Sequence, residues 1–223
     1  MQIFRCSAIL FDLDGVLVNS IASVERAWRK FAARHHLDPA AVLHAAHGHR
    51  SIETIKLLMP QIDAEAENLV VERDEIGDAE GLKACEGAAE LLAVLPPDRW
   101  TIVTSGTRPL ATSRLRAAGL PVPRHLVAAD EVTNGKPHPE PYLKGAAALG
   151  AEPAECLVFE DAPTGIRSAH AAGMKVIGLP GTYQAPELEA AEVLVCSLAH
   201  VSVELRNDEL LVRVPKFSHM TAR

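Results

Sequence analysis

The sequence predicts an α/β fold: a parallel sheet flanked by helices, with an inserted α-helical cap domain. Two observations carry this. Short, near-continuously apolar runs alternate with helical patterns over most of residues 100–196, as strands buried on both faces do when helices cover them. One block, from about residue 21 to 80, breaks the alternation; it is rich in Ala, Leu, Glu and Arg and holds no convincing strand.

Taken in order, the first apolar run spans 7–12. Its four consecutive apolar residues, Ala8-Ile9-Leu10-Phe11, read as a short buried strand. The block that follows has helical patterns at 22–35, 40–46, 52–58 and 64–76, broken at Pro39, Gly48 and Pro60. Alternation then resumes. A strand at 100–104 leads to a helix at 109–118 behind Thr107, an N-cap candidate. A strand at 125–129 precedes a helix at 140–149, and a strand at 156–160 precedes a helix at 164–172 closed by Gly173. Further strands are expected at 175–179 and 193–196. Runs at 201–205 and 210–214 flank Asn207-Asp208 and predict a small hairpin. The core of 1–18 and 84–223 is thus Rossmann-like, and 19–83 forms the cap. Inserted after the first strand, the cap sits over the strand carboxyl ends, where it can exclude water and add contacts to a ligand.

A chain of 223 residues with 48% hydrophobic composition suffices for a core domain plus a smaller one. The formal charge of −7, with no block of Lys or Arg, argues against nucleic acid or an anionic membrane as partner. It leaves room for a small anionic substrate, which needs only a few local cations. Cys6, Cys85, Cys156 and Cys196 are scattered and form no Cys-x-x-Cys pair, which points to reduced thiols in a cytoplasmic protein. The N-terminal apolar run is too short for a signal peptide or a membrane span. A monomer is the default expectation, because no extended apolar surface helix is evident.

Four features fall at the ends of separate strands: Asp12-Leu13-Asp14-Gly15, Thr104-Ser105-Gly106, Asn134-Gly135-Lys136-Pro137, and Glu160-Asp161-Ala162-Pro163. Each alone has an ordinary reading. Asp-x-Asp-Gly serves turns, Ser105-Gly106 a helix entry, Lys136 a solvated surface, and Asp161 a helix N-cap ahead of Pro163. Together they converge, since ligands of open parallel sheets bind at strand carboxyl ends. Ionised carboxylates at the end of an apolar strand need a compensating cation. Carboxylates from two loops suit Mg²⁺, and a hydroxyl, backbone N–H groups and an ammonium suit phosphate oxygens.

These four motifs, in this order and spacing, resemble the haloacid dehalogenase superfamily of aspartate-nucleophile phosphotransferases over nearly the whole chain. His47-Gly48-His49-Arg50, Ile102-Val103-Thr104-Ser105-Gly106 and Asn134-Gly135-Lys136-Pro137-His138-Pro139-Glu140-Pro141-Tyr142 are similar to stretches of its sugar-phosphate and polyol-phosphate phosphatases, of the 2-deoxyglucose-6-phosphatase and glycerol-3-phosphatase kind. The resemblance implies a Mg²⁺-dependent hydrolase of small phosphoric monoesters working through an aspartyl-phosphate. It implies Asp12 as nucleophile and Asp14 as general acid and base. Thr104, Ser105, Gly106 and Lys136 would hold the phosphoryl group. Mg²⁺ would bind Asp12, the main-chain carbonyl of Asp14, and Asp161, with Glu160 just outside. In the cap, His49 and Arg50 are expected at the substrate. For Arg50, an ion pair with Glu25 or Glu53 is the competing reading.

Other cap residues read more plainly. His44-x-x-His47-x-His49 fits no structural zinc spacing. Trp28 is expected in the cap core or as a shield over the site, and the acidic run over 65–78 as a solvated helix face. The alternative activity is a β-phosphoglucomutase-like isomerisation. Val16 favours it, whereas Val24 and Pro109 stand where those mutases carry a histidine and a polar residue.

Overall fold

The computed structural model describes residues 1–46 and 49–215. Eleven strands and eight α-helices follow one another along these residues: β1 (Gln2–Cys6), β2 (Ala8–Phe11), β3 (Val18–Asn19), α1 (Ile21–Arg34), α2 (Pro39–Ala46), α3 (Ser51–Leu58), α4 (Ala64–Ile76), β4 (Lys83–Ala84), α5 (Ala88–Val94), β5 (Trp100–Val103), α6 (Arg108–Ala117), β6 (Leu126–Val127), α7 (Glu140–Ala148), β7 (Cys156–Glu160), α8 (Pro163–Ala171), β8 (Lys175–Gly178), β9 (Val193–Leu194), β10 (Ser202–Arg206) and β11 (Glu209–Val214). None of the helices is long and apolar enough to cross a membrane.

The main sheet is parallel throughout, in the order β6-β5-β2-β7-β8-β9. The chain runs outward from β2 in one direction through β5 and β6, and in the other through β7 to β9. The order therefore reverses at β2, and a crevice opens there beyond the strand carboxyl ends. Every residue of β2, β5 and β7 is buried, which is why their sequences read as near-continuous apolar runs. Their side chains alternate between two cores. Ile9, Phe11, Leu157 and Phe159 join α5, α6 and the antiparallel strands on one face. Ala8, Leu10, Cys156 and Val158 join Tyr142 and Ala146 of α7 and Ile166 and Ala169 of α8 on the other. Phe11 stacks on Phe159 at 5.1 Å between ring centroids, fixing β2 against β7 where the site begins.

Helices α1–α4 gather round a third core of Trp28, Phe31, Ala32, Val42, Ala46, Ile55, Ala64 and Val71. The chain enters and leaves this segment through the ribbon of β3 and β4. The expected hairpin forms as β10 and β11, with Asn207 and Asp208 at φ 51° and 66°, the backbone of a type I′ turn. It is not a separate unit, because β11 also pairs along its length with β1. Strands β1, β3 and β4 and helix α5 lie outside the elements expected from sequence.

Candidate active site

The four motif ends meet in one cavity. It is lined from below by Asp12, Asp14, Thr104, Ser105, Gly106, Lys136, Glu160, Asp161 and Thr182, and from the helical segment by Ile21, Val24, Trp28, Ala46, His49, Ser51 and Glu75.

Asp12 follows the last residue of β2, and its N–H is held by the carbonyl of Phe159 on the neighbouring strand. The Lys136 ammonium donates to Asp12 Oδ1 at 2.5 Å and to Glu160 Oε1 at 2.6 Å. Tyr142 Oη donates to that same Glu160 oxygen at 3.0 Å. Glu160 Oε2 accepts the N–H groups of Asp161 and Ala162, both at 2.9 Å. Glu160 thus ties down the backbone that leads into α8, whose N-cap position is Ala162, and Asp161 is not the helix cap. Two glycines make room for these carboxylates. A Cβ on Gly165 would stand 1.6 Å from Glu160 Oε1. A Cβ on Gly15, whose φ is +85°, would stand 2.0 Å from Asp161 Oδ2.

Asp14 lines the same cavity with partners of its own. Oδ1 accepts from Ser20 Oγ and Oδ2 from Arg114 Nη1, both at 2.6 Å. Thr104 Oγ1 accepts the N–H of Gly106 at 3.0 Å and shapes the loop that carries Ser105. Thr107 stands at the N-cap position of α6 but donates its hydroxyl to Glu72 of α4, while Asp130 accepts the N–H of Arg108.

Charge is unbalanced here. Asp12, Asp14, Glu75, Glu160 and Asp161 line the cavity against two permanent cations, Arg114 and Lys136. Burial, followed by the charges of Glu160 and Asp14, pushes Asp12 up to about 7 against the pull of Lys136. Burial and the charges of Asp12 and Glu160 push Asp161 well above the carboxylate range, although Thr182 donates to it. Burial pulls the Lys136 ammonium down, yet Asp12 and Glu160 outweigh it and hold Lys136 well above its ordinary value. Crowded hard-oxygen donors with an excess of negative charge fit a divalent cation such as Mg²⁺. Among the described residues no three His, Cys, Asp or Glu side chains form a ligand group by themselves. The expected set asks for only two carboxylates and a main-chain carbonyl, the remainder being water, which Mg²⁺ retains.

Of the two readings for Arg50, the ion pair with Glu53 is the one that forms. Arg50 does not line this cavity but borders the adjoining groove with His49 and Lys136. Its Nη1 and Nη2 donate to the carbonyls of Val132 and Thr133 at 3.3 and 3.2 Å. It braces the loop that carries Lys136. The acidic run at the end of α4 is not wholly solvated. Glu75 is 6% exposed, lines the cavity and accepts from Arg114 Nη2 at 2.6 Å. His49 and Trp28 do line the cavity, and Trp28 also belongs to the core of α1–α4. His47 and Gly48 lie outside the described residues. Arg114, Glu75 and Thr182 had no local motif to reveal them.

The chain is 43% identical over 204 residues to hexitol phosphatase A of Escherichia coli, covering 89% of this chain and 94% of that protein. It is 36% identical to glycerol-1-phosphate phosphohydrolase 2 of Saccharomyces cerevisiae, covering 80% and 76% respectively. A hydrolase from Pseudomonas syringae superposes with a TM-score of 0.77 at 29% identity, over 86% of this chain and 94% of that one. The description haloacid dehalogenase-like hydrolase matches residues 6–173. With its strand-end carboxylates, its lysine and its inserted helices, the chain belongs to the haloacid dehalogenase-like hydrolase family.

Proposed function

We propose that this chain hydrolyses small phosphate monoesters, sugar or polyol phosphates, through an aspartyl-phosphate intermediate, with Mg²⁺ as cofactor. The observation that carries the reading is the Asp12 carboxylate. It lines the cavity, has Lys136 on one oxygen, and shares the cavity with Ser105 and with a second aspartate two residues on. The names of the relatives, a hexitol phosphatase and a glycerol-1-phosphate phosphohydrolase, support the substrate class.

In the first step Asp12 attacks phosphorus, the Asp12 O–P bond forms, and the ester P–O bond breaks. The departing alcohol oxygen takes a proton from Asp14. In the second, Asp14 takes a proton from water as that water attacks the aspartyl-phosphate, releasing inorganic phosphate and restoring Asp12. Lys136 and Ser105, with the backbone N–H groups around Gly106, hold the phosphoryl oxygens. This positioning and charge neutralisation is most of what phosphoryl transfer requires. Asp12, the main-chain carbonyl of Asp14, and Asp161 would hold Mg²⁺, which when bound offsets charge on the phosphoryl oxygens. Helices α1–α4 act as the cap, with His49 touching the part of the substrate beyond the phosphate.

The test is phosphate release with Mg²⁺ across hexitol, hexose, pentose and glycerol phosphates. Release from at least one class, abolished in Asp12→Asn, is expected. No release from any ester, full activity in Asp12→Asn, or conversion of β-glucose-1-phosphate plus glucose-1,6-bisphosphate to glucose-6-phosphate would overturn the reading.

A further inference from the structure

Arg114 has no part in the chemistry above, and its surroundings are unlike those of an ordinary helix arginine. It lies at the end of the second turn of α6 with its side chain only 4% exposed. Its fork is divided: Nη1 donates to Asp14 Oδ2, and Nη2 donates to Glu75 Oε2 on the last turn of α4. Nε is buried and has no hydrogen-bond partner among the described residues. A guanidinium seeking stability takes one carboxylate with two parallel bonds. Dividing the fork and orphaning a donor forgoes that geometry, and buried ion pairs add little net stability in any case. The arrangement makes sense if holding Asp14 is what matters.

Asp14 needs holding. Its side chain is 28% exposed, against 11% for Asp12 and 1% for Glu160. Asp12 and Glu75 are both near enough to feel its charge. An unanchored carboxylate there would swing toward water. Ser20 grips one oxygen and Arg114 the other, so the plane of the carboxyl group is fixed.

We infer that Arg114 is a positioning residue: it fixes the Asp14 carboxyl group for proton transfer to the leaving oxygen, and Glu75 fixes Arg114. This rests on the reading of Asp14 as the acid and base. Arg114 keeps its own protons throughout; the proton that leaves with the alcohol is Asp14's. A general acid acts only within hydrogen-bond reach of the oxygen it protonates, and small misplacements of a catalytic group are costly in rate. The effect must therefore depend on the leaving group. An alkoxide needs that proton, whereas a nitrophenolate leaves without it.

The experiment uses the intact protein with Mg²⁺ under single-turnover conditions. It follows sorbitol release from sorbitol 6-phosphate and p-nitrophenol release from p-nitrophenyl phosphate. In Arg114→Met, alcohol release from the alkyl ester is expected to slow about 100-fold, and from the aryl ester less than about threefold. Half-saturation for both esters should move less than about threefold. Arg114→Lys keeps the charge but cannot span both carboxylates, and should recover about tenfold of the loss. If Arg114→Met does not fold, Arg114→Met/Glu75→Gln, which removes both buried charges together, carries the same expected contrast between esters. Equal slowing of both esters, or none, in a folded variant would overturn the inference. Asp14→Asn separates the two readings. If it leaves sorbitol release intact, the acid assignment itself fails; if it is impaired while Arg114→Met is not, only the positioning role falls.

Discussion

Lys136 stands between two carboxylates that would otherwise face each other in a buried space, Asp12 at 2.5 Å and Glu160 at 2.6 Å. Replacing it with methionine strands both. Lys136→Met is expected to lower turnover by at least about 10³-fold and to destabilise the fold by about 3–5 kcal/mol, the usual penalty of breaking a buried pair. Initial rates and urea unfolding would show the two losses together; a stable, active variant would contradict the site as described. Thiols offer a second residue-scale check. Burial pushes Cys6, Cys85 and Cys156 each up to about 12, so none carries appreciable thiolate at pH 8, whereas Cys196 is exposed. One thiol per chain should react rapidly with Ellman's reagent in the native protein, all four after unfolding, and mass spectrometry should find the fast label on Cys196. The residues legible from sequence were those whose chemistry sits in a contiguous motif, such as Asp12, Asp14, Lys136 and Asp161. Glu75 and Arg114 are 39 positions apart and meet only through the packing of α4 on α6. In the sequence, Glu75 was one carboxylate among several in an acidic run.

At the scale of elements, the loop that delivers Lys136 depends on the first residue of α7. Glu140 accepts the N–H groups of Thr133 and Asn134 at 2.8 and 2.9 Å, and Lys144 pairs with it at 3.0 Å one turn on. The backbone bonds from Thr133 and Asn134, then Lys144, hold the Glu140 carboxyl down to about 2. A depressed carboxyl contributes stability that is complete above the ordinary carboxylate range and disappears as pH falls toward 2. The Thr133 and Asn134 amides should therefore stay protected from hydrogen exchange at pH 4 and open nearer pH 2. Glu140→Ala should expose them at neutral pH and lower turnover about tenfold through misplacement of Lys136; protected amides in that variant would refute the clamp. Element patterns were legible where periodicity was strong. Helices α1–α4 and strands β2, β5, β7 and β8 lie within a residue or two of their expected places. Strand β1 is hidden in the sequence because its alternation, with Phe4 and Cys6 buried and Arg5 exposed, merges with the continuous apolar run of β2 one residue later. Helix α5 is only seven residues long and starts from Gly87 in the left-handed region, a weak start signal by comparison with the polar N-caps that mark longer helices.

The whole molecule carries a formal charge of −7, and several of its carboxylates are gathered in the cavity. Five carboxylates meet two permanent cations in the cavity between the parallel sheet and α1–α4. The fold tolerates this because backbone N–H groups, Tyr142 and Lys136 satisfy Glu160, while Ser20 and Arg114 satisfy Asp14. Asp161 is the least compensated, with Thr182 as its hydroxyl donor and Asp12 and Glu160 as like-charged neighbours. A divalent cation should therefore stabilise the entire chain by mass action. At a Mg²⁺ concentration 100 times its Kd, binding adds about 2.7 kcal/mol, or roughly 5–10 °C in Tm for a chain of this size. Chelation should reverse the gain and stop phosphate release, and restored Mg²⁺ should recover both. Asp161→Asn makes the test sharp because its two expected effects have opposite signs. Removing one of the crowded charges should raise the Tm measured in EDTA, while removing a ligand should erase the rise on adding Mg²⁺. Thermal melts of both proteins in EDTA and in Mg²⁺ give four numbers. A variant less stable than the parent in EDTA, yet still stabilised by Mg²⁺ to the parent's extent, would show that Asp161 is a structural carboxylate and that the cation is held elsewhere.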